Sequence, residues 1–343
     1  MTKQIDKLDE QMQEAIQRFL SNEFNIDLLR RVYEGDGHEL LPLWQSIAAM
    51  GLGVMGLSEK HGGLNLGLQA QVQLAQEVGR YLLPLPLAEI TVVAPLLFNH
   101  LDQLPQYWQK QLQDIYYQGE YVLHVGKAWS AGQWRIDFID LPGPILLIEN
   151  DRLVLGELDL NQVDVFSGID KSVSSTLITD DALCNRFDLP LKKSTAQLEE
   201  KQRLVLIGEL LGLMSTVFEQ TLVYAKEREQ FGKPIGANQA MKHRLADLWM
   251  ALDNAQLTLA EATQAVVKAD DASLSLDICQ YLTVEAGKQI TAYAIQVHGA
   301  MGVTWECAMH MYLKRSRYLC ALLEQHYSQG RLLADIWANN DLN

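Results

Sequence analysis

Apolar positions recur along this 343-residue chain with two periods, and the change of period divides it into three zones. Over residues 1–120 the spacing is helical. Leu68–Tyr81, reading LQAQVQLAQEVGRY, sets apolar residues three and four apart and is rich in Ala, Gln and Leu. Gly62–Gly63 and Leu83–Pro84–Leu85–Pro86 punctuate this zone. Over residues 121–195 short β-branched or aromatic runs take over: Tyr121–Val125, Trp134–Ile139, Ile145–Ile148, Arg152–Leu155 and Ser172–Ile178. Gly, Pro, Asn and Asp separate them, which predicts a small antiparallel β-domain. From 196 to 343 helical spacing returns, in Leu204, Ile207, Leu211, Met214 and Phe218 and again in Met241, Leu245, Leu248 and Leu252. That spacing predicts a packed helical bundle. The expected fold class is therefore mainly α with a small β-domain. The expected parts are an N-terminal helical domain (1–120), a β-domain (121–195) and a C-terminal helical bundle (196–343).

Charge narrows the partners. Lys and Arg number 28 and Asp and Glu 43, for a formal charge of −15. A surface that acidic is not expected to bind nucleic acid or an anionic membrane. Met1–Glu10 alternates charge and shows no leader-like apolar run. Glu89 breaks the run Pro84–Phe98 and Glu209 breaks Leu204–Met214, so no membrane span is expected. Cys184, Cys279, Cys307 and Cys320 show no C-x-x-C spacing. They are read as reduced thiols in a cytoplasmic protein, with no metal site.

Three stretches carry more specific information. Tyr224–Leu248 reads YAKEREQFGKPIGANQAMKHRLADL, and Gln296–Arg315 reads QVHGAMGVTWECAMHMYLKR. Leu43–Pro86 holds Gly62–Gly63–Leu64 and Glu77–Val78–Gly79–Arg80. The first resembles the signature helix pair of the acyl-CoA dehydrogenase family. The second resembles that family's C-terminal glycine turn and following helix, and the third its N-terminal helical domain in shorter bacterial members. The resemblance implies an N-terminal helical domain, a middle β-domain and a C-terminal four-helix bundle. It also implies bound FAD, an oligomer, and α,β-desaturation of an acyl thioester in fatty acid or steroid side-chain metabolism. Such chemistry needs a carboxylate of raised pKa to take the α-proton and donors for the developing enolate oxygen. It also needs the flavin to accept the β-hydride.

The family's roles fall on particular residues. By the resemblance Arg228, Gln230 and Phe231 would contact the adenine-and-pyrophosphate half of an FAD held by a neighbouring subunit. For Arg228 the alternative is a surface cation paired with Glu227 or Glu229. Gln296, Gly299 and Gly302 would lie against the same dinucleotide, with Ala300 where the family has a second Gly. The alternative for that turn is a plain helix connection. Arg203 would sit beside the substrate and the base. His243 and the Trp305–Glu306 pair are read as packing, and His298 carries no catalytic implication.

The chain departs from the family in two places. Typical members open the β-domain with T-E-P-x-x-G-S-D, whose backbone and hydroxyls hold the flavin ring; the corresponding stretch here, Leu123–Gly132, reads LHVGKAWSAG. Counting from Gln296, the family's usual catalytic Glu falls on Leu323. Its neighbour Glu324 is one candidate base, although the usual following Gly-Thr is replaced by Gln325–His326. Members with the base on the preceding helix place it just before Arg203, where this chain has Gln202. Glu209 lies seven residues on, about 10 Å along a helix, and interrupts an apolar run. It is the second candidate base, the alternative being a core Glu paired to an Arg or to a helix end.

Three functions remain open on these residues. The chain is an acyl-CoA dehydrogenase-like flavoprotein subunit, or a non-catalytic partner subunit in a hetero-oligomer of such enzymes, or a non-redox protein that binds acyl thioesters. The expected partners are an acyl-CoA or acyl-carrier-protein thioester, an electron-transfer flavoprotein, and further subunits of a homo- or hetero-oligomer. A net charge of −15 repels polyanionic CoA at long range. Local cations such as Arg228, Lys233, Lys242 and Arg244 would therefore have to attract it.

Overall fold

The computed structural model describes residues 10–130, 132–149, 151–159, 163–191, 195–268 and 271–325. His326 and nearly all of the Met1–Glu10 stretch read as leader-free lie outside the described residues. The chain forms two compact units, Met1–Gln73 with Leu83–Gln202, and Leu74–Leu82 with Arg203–Asn343.

The N-terminal unit opens with helices α1 (Glu10–Glu23), α2 (Ile26–Tyr33) and α3 (Leu40–Ala49), then the first turns of α4 (Leu68–Tyr81), and then α5 (Leu87–Asn99) and α6 (Gln106–Gln113). The Asn25 side chain caps α2 by accepting a 2.9 Å bond from the Leu28 amide. Helix α5 carries Pro95 in its interior. Proline has no N–H, so the carbonyl four residues earlier, on Thr91, loses its helical donor. Gln71 of α4 supplies the replacement: its Nε2 donates to the Thr91 carbonyl at 3.1 Å, with both residues buried. A Cβ at position 56 would stand 2.4 Å from that Nε2, so Gly56 makes room for the bond.

The strands of this unit form one seven-stranded sheet in the order β5-β6-β2-β1-β3-β4-β7. They are β1 (His124–Ser130), β2 (Gln133–Asp137), β3 (Ile145–Ile148), β4 (Arg152–Leu158), β5 (Val165–Ser167), β6 (Ser174–Ile178) and β7 (Leu183–Pro190). The expected antiparallel sheet is corrected to a mixed one. β1 runs parallel to β3, with His124 opposite Ile145, while the other neighbours are antiparallel. Ile136, Ile145, Leu147 and Val154 form its apolar core. A buried charge cluster joins α5 to the sheet. Lys127 Nζ lies 3.0 Å from both Glu89 Oε1 and Asp137 Oδ2, and Arg135 Nε lies 2.7 Å from Asp137 Oδ1. Burial pushes the Asp137 carboxyl up, but the Lys127 and Arg135 cations reverse this and hold it well below the usual range. Two carboxylates against two cations leave the cluster neutral.

The second unit is helical. It takes the end of α4, most of α7 (Ala196–Glu227), the two-residue strands β8 (Glu229–Gln230) and β9 (Lys233–Pro234), and helices α8 (Gln239–Lys268), α9 (Ser273–His298) and α10 (Met309–Gln325). The predicted stripe Leu204, Ile207, Leu211, Met214 and Phe218 is buried. α4 and α7 cross at backbone contact. A Cβ on Gly79 would stand 1.8 Å from the Glu209 carbonyl oxygen, and one on Gly212 1.8 Å from that of Gln76. The Glu77–Arg80 motif clamps the crossing, since Arg80 lies 3.5 Å from Glu77 and 3.3 Å from Glu219. One sequence expectation is corrected here. Glu209 does not break the apolar run: α7 is long and apolar enough to cross a membrane, although 78% of its apolar window is buried inside the fold.

The Gln71 bond yields a test. Gln71→Leu keeps most of the volume but leaves the buried Thr91 carbonyl without a donor. It is expected to lower stability by about 1–3 kcal/mol, read by urea denaturation. An unchanged midpoint would contradict the compensating role.

Candidate functional site

Two groups of the candidate residues, the hairpin after α7 and the turn after α9, come together at one end of the helical unit. α7 ends at Glu227, and the chain turns through the β8–β9 hairpin, where Glu229 pairs with Pro234 and Gln230 with Lys233. The Arg228 carbonyl accepts from the Ile235 amide at 2.8 Å, which closes the hairpin base. At the tip Phe231 adopts φ +53° and Gly232 φ +75°. A left-handed conformation is costly for an aromatic residue. The Phe231 side chain is also 100% exposed. Among the described residues Arg228 pairs with neither Glu227 nor Glu229.

The second element is the turn after α9. Gly299, at φ +61° and ψ −140°, ends the helix in a conformation reserved for glycine. Gly302 packs against the helix end, where a Cβ would meet the His298 Cβ at 3.0 Å. Ala300 is exposed. The Tyr224 ring stacks on the His298 ring, with centroids 4.3 Å apart, and so ties the end of α7 to the end of α9. Gln296 is exposed and lines a groove of about 840 Å³ between α8 and α9, together with Asn238, Arg244, Lys288 and Tyr293. The Arg244 guanidinium lies 5.7 Å from the Tyr293 ring centre.

Arg203 belongs to a different constellation. Its Nη2 lies 2.7 Å from Asp277 Oδ1, and its Nε donates to Gln280 Oε1 at 3.0 Å. Gln280 in turn donates to the Leu323 carbonyl at 2.8 Å. The position where the family keeps its base is thus linked through one amide to Arg203, but the side chain there is a buried leucine. Asp277 and Gln280 were not singled out from the sequence. Their signal was two polar residues three apart within the largely apolar stretch LDICQYL.

The two candidate bases lie elsewhere. Glu209 is buried, and its Oε1 receives Arg315 Nη1 at 3.1 Å; the Arg315 side chain is 1% exposed. This is the paired core carboxylate that the sequence left as an alternative. Glu324 is half exposed and pairs with Lys288 on the bundle surface, not with Arg203. Each glutamate is thus paired with a cation of its own, and neither with Arg203.

The hairpin and turn fit the adenine-and-pyrophosphate half of a dinucleotide: a guanidinium unpaired among the described residues, two amide side chains and an exposed aromatic ring. The stretch Leu123–Gly132 does not fit a flavin ring in the family's manner. Its residues His124–Ser130 form β1, hydrogen-bonded to β3 on one side and β2 on the other, with His124 and Lys127 turned into the interior. Burial pushes the His124 imidazole down to about 4, against two backbone carbonyls that face its ring nitrogens.

Comparison with known proteins follows this division. Residues 7–111 match the acyl-CoA dehydrogenase N-terminal domain and residues 195–322 the acyl-CoA dehydrogenase C-terminal domain. The chain belongs to the acyl-CoA dehydrogenase family, a family of flavoprotein oxidoreductases. The acyl-CoA dehydrogenase IpdE2 of Mycolicibacterium smegmatis is 26% identical over 303 residues, covering 85% of this chain and 86% of that protein. The acyl-CoA dehydrogenase FadE34 of Mycobacterium tuberculosis is also 26% identical over 82% of the chain, which spans only 40% of that longer relative. Among solved structures, a chain of the ChsE4–ChsE5 complex from Mycobacterium tuberculosis superposes with a TM-score of 0.77 at 19% identity, over 96% of both chains. PigA with FAD and proline superposes with a TM-score of 0.71 at 17% identity, over 93% of this chain and 97% of that one.

The carboxylate environments make a prediction. Arg315→Met removes the Arg315 cation from the buried Glu209 carboxylate and is expected to cost about 3–5 kcal/mol in denaturant unfolding. Glu324→Gln removes one partner of a surface pair and is expected to cost under about 1 kcal/mol. Equal effects would contradict the buried and exposed assignments.

Proposed function

We propose that this chain is a partner-type subunit of a flavin-dependent acyl-CoA dehydrogenase assembly. It grips the dinucleotide half of an FAD held mainly by another chain, and it does not supply the catalytic base. The observation that carries this reading is Phe231, a fully exposed aromatic ring on a strained hairpin tip beside Arg228, which has no ion-pair partner among the described residues. A chain that keeps a strained apolar tip in water gains by burying it against a partner. Val223, Trp249, Met250, Leu257, Met301 and Val303 add exposed apolar surface to the same unit. The structural neighbour from the ChsE4–ChsE5 complex is itself part of a two-component assembly, which accords with such an arrangement.

Each residue has a defined task in this reading. Arg228 neutralises a pyrophosphate oxygen, Gln230 and Gln296 offer amide donors, and Phe231 covers the adenine. Gly299 and Gly302 let the turn come close to the nucleotide. FAD, when bound, supplies the acceptor for the substrate's β-hydride. Arg203, fixed by Asp277 and Gln280, orients the region where the substrate would lie. The α-proton would be taken by a carboxylate on the flavin-bearing chain. Leu323 stands at the family's position here, and Glu209 and Glu324 are committed to Arg315 and Lys288. The substrate class is an acyl thioester of CoA or of a carrier protein, and the electron acceptor is an electron-transfer flavoprotein.

The test uses the chain assembled with a flavin-bearing dehydrogenase partner. Glu209→Gln and Glu324→Gln are expected to leave turnover per folded assembly within about twofold, whereas removal of a general base costs about 100-fold or more. A double Arg228→Ala, Phe231→Ala variant is expected to lower FAD affinity by about tenfold or more. Loss of turnover in either glutamate variant, with folding intact, would place the base on this chain and overturn the reading.

A further inference from the structure

The N-terminal unit contains a cleft of about 670 Å³ that the flavin reading does not use. Its size falls within the roughly 300–1,000 Å³ of small-molecule sites. The loop after α3, the C-terminal half of α5 and the first turns of α7 form its walls. Leu66, Val92 and Leu198 give it a buried apolar lining.

Two polar groups in this cleft lack partners among the described residues. Lys201 is the single Lys or Arg of the described lining, and its ammonium makes no hydrogen bond or ion pair there. Burial lowers its pKa, with Glu200 acting only weakly in the other direction. His61 also lines the cleft, and its Nε2 is buried with no hydrogen-bond partner. The ring packs edge-on against Phe98, with centroids 5.5 Å apart. A half-buried cation and a buried ring nitrogen, both unmatched among the described residues beside an apolar wall, are costly unless a ligand completes them.

We propose that this cleft binds an amphipathic monocarboxylate, its carboxylate paired with Lys201 and hydrogen-bonded by His61, its apolar body against Leu66, Val92 and Leu198. The one ammonium among the described lining residues matches one negative charge, as a free carboxylic acid carries. The half-buried position strengthens the pairing, because a charge-assisted hydrogen bond gains where water is partly excluded. The lining residues belong to one compact unit, so the proposal is independent of the flavin-gripping hairpin.

Titration calorimetry of the full chain with decanoate tests it. Decanoate is expected to bind one per chain, and decanol about tenfold more weakly or worse, because it lacks the charge. Lys201→Met, which keeps the apolar stem, is expected to weaken decanoate by about tenfold or more. Lys201→Arg is expected to stay within about threefold of the parent. Arg228→Ala, in the other unit, is expected to leave decanoate binding unchanged, which separates this site from the dinucleotide grip. No binding of decanoate, equal affinity for decanol, or an unaltered affinity in a folded Lys201→Met variant would each overturn the proposal. The decanol comparison uses the parent protein, so it holds even if a variant fails to fold.

Discussion

The helical unit depends on one close approach. Gly79 and Gly212 let the backbones of α4 and α7 touch, each glycine lying against a carbonyl of the opposite helix. No side chain fits at either point, so the register between the two helices is fixed to one residue. That register sets the positions of the groups that matter along α7: Arg203 near its start, Glu209 at the crossing and Arg228 just past its end. Glu209 lends its carbonyl to the crossing and its carboxylate to Arg315. A residue whose backbone and carboxylate are both fixed in this way is part of the frame, and a proton-abstracting group needs more freedom and a weaker partner.

The same logic separates the two halves of the expected active site. Where the chain resembles its family most, at the hairpin and the glycine turn, the structure leaves polar and aromatic groups exposed and uncommitted. Where it departs, the groups are used internally. β1 spends its backbone on two neighbouring strands, Lys127 balances two carboxylates, and Leu323 is packed in the bundle core. Exposed and uncommitted groups are available to a partner, whereas satisfied buried groups are not. The account of an incomplete chain completing another rests on that contrast.

Much of the fold was legible because helical periodicity over long stretches is a strong local signal. The stripe from Leu204 to Phe218 reads directly as a buried face. The strand zone was legible as a zone but not in its topology. β5 is three exposed residues, and β7 alternates poorly because it forms a sheet edge, so neither shows the pattern of a half-buried strand. The parallel pairing of β1 with β3 depends on which strand lies beside which, and no local pattern carries that information. At the site, the R-x-x-F-G run and the glycine turn were readable from residue types. The partners were not. That Glu209 meets Arg315 across 106 positions, or that Gln71 completes the Thr91 carbonyl freed by Pro95, follows only from packing. Lys201 and His61 were passed over because a lone Lys or His has no meaning in sequence until its surroundings are known.

The central claim is that this chain holds only part of a flavin site. The most direct measurement is the visible absorption spectrum of the purified chain, alone and after co-expression with a flavin-bearing dehydrogenase chain. The account predicts a colourless protein alone and a complex with stoichiometric flavin absorption when the partner is present. A stoichiometric flavin spectrum from the chain by itself would contradict it, because β1 and its buried residues would then have to hold the ring.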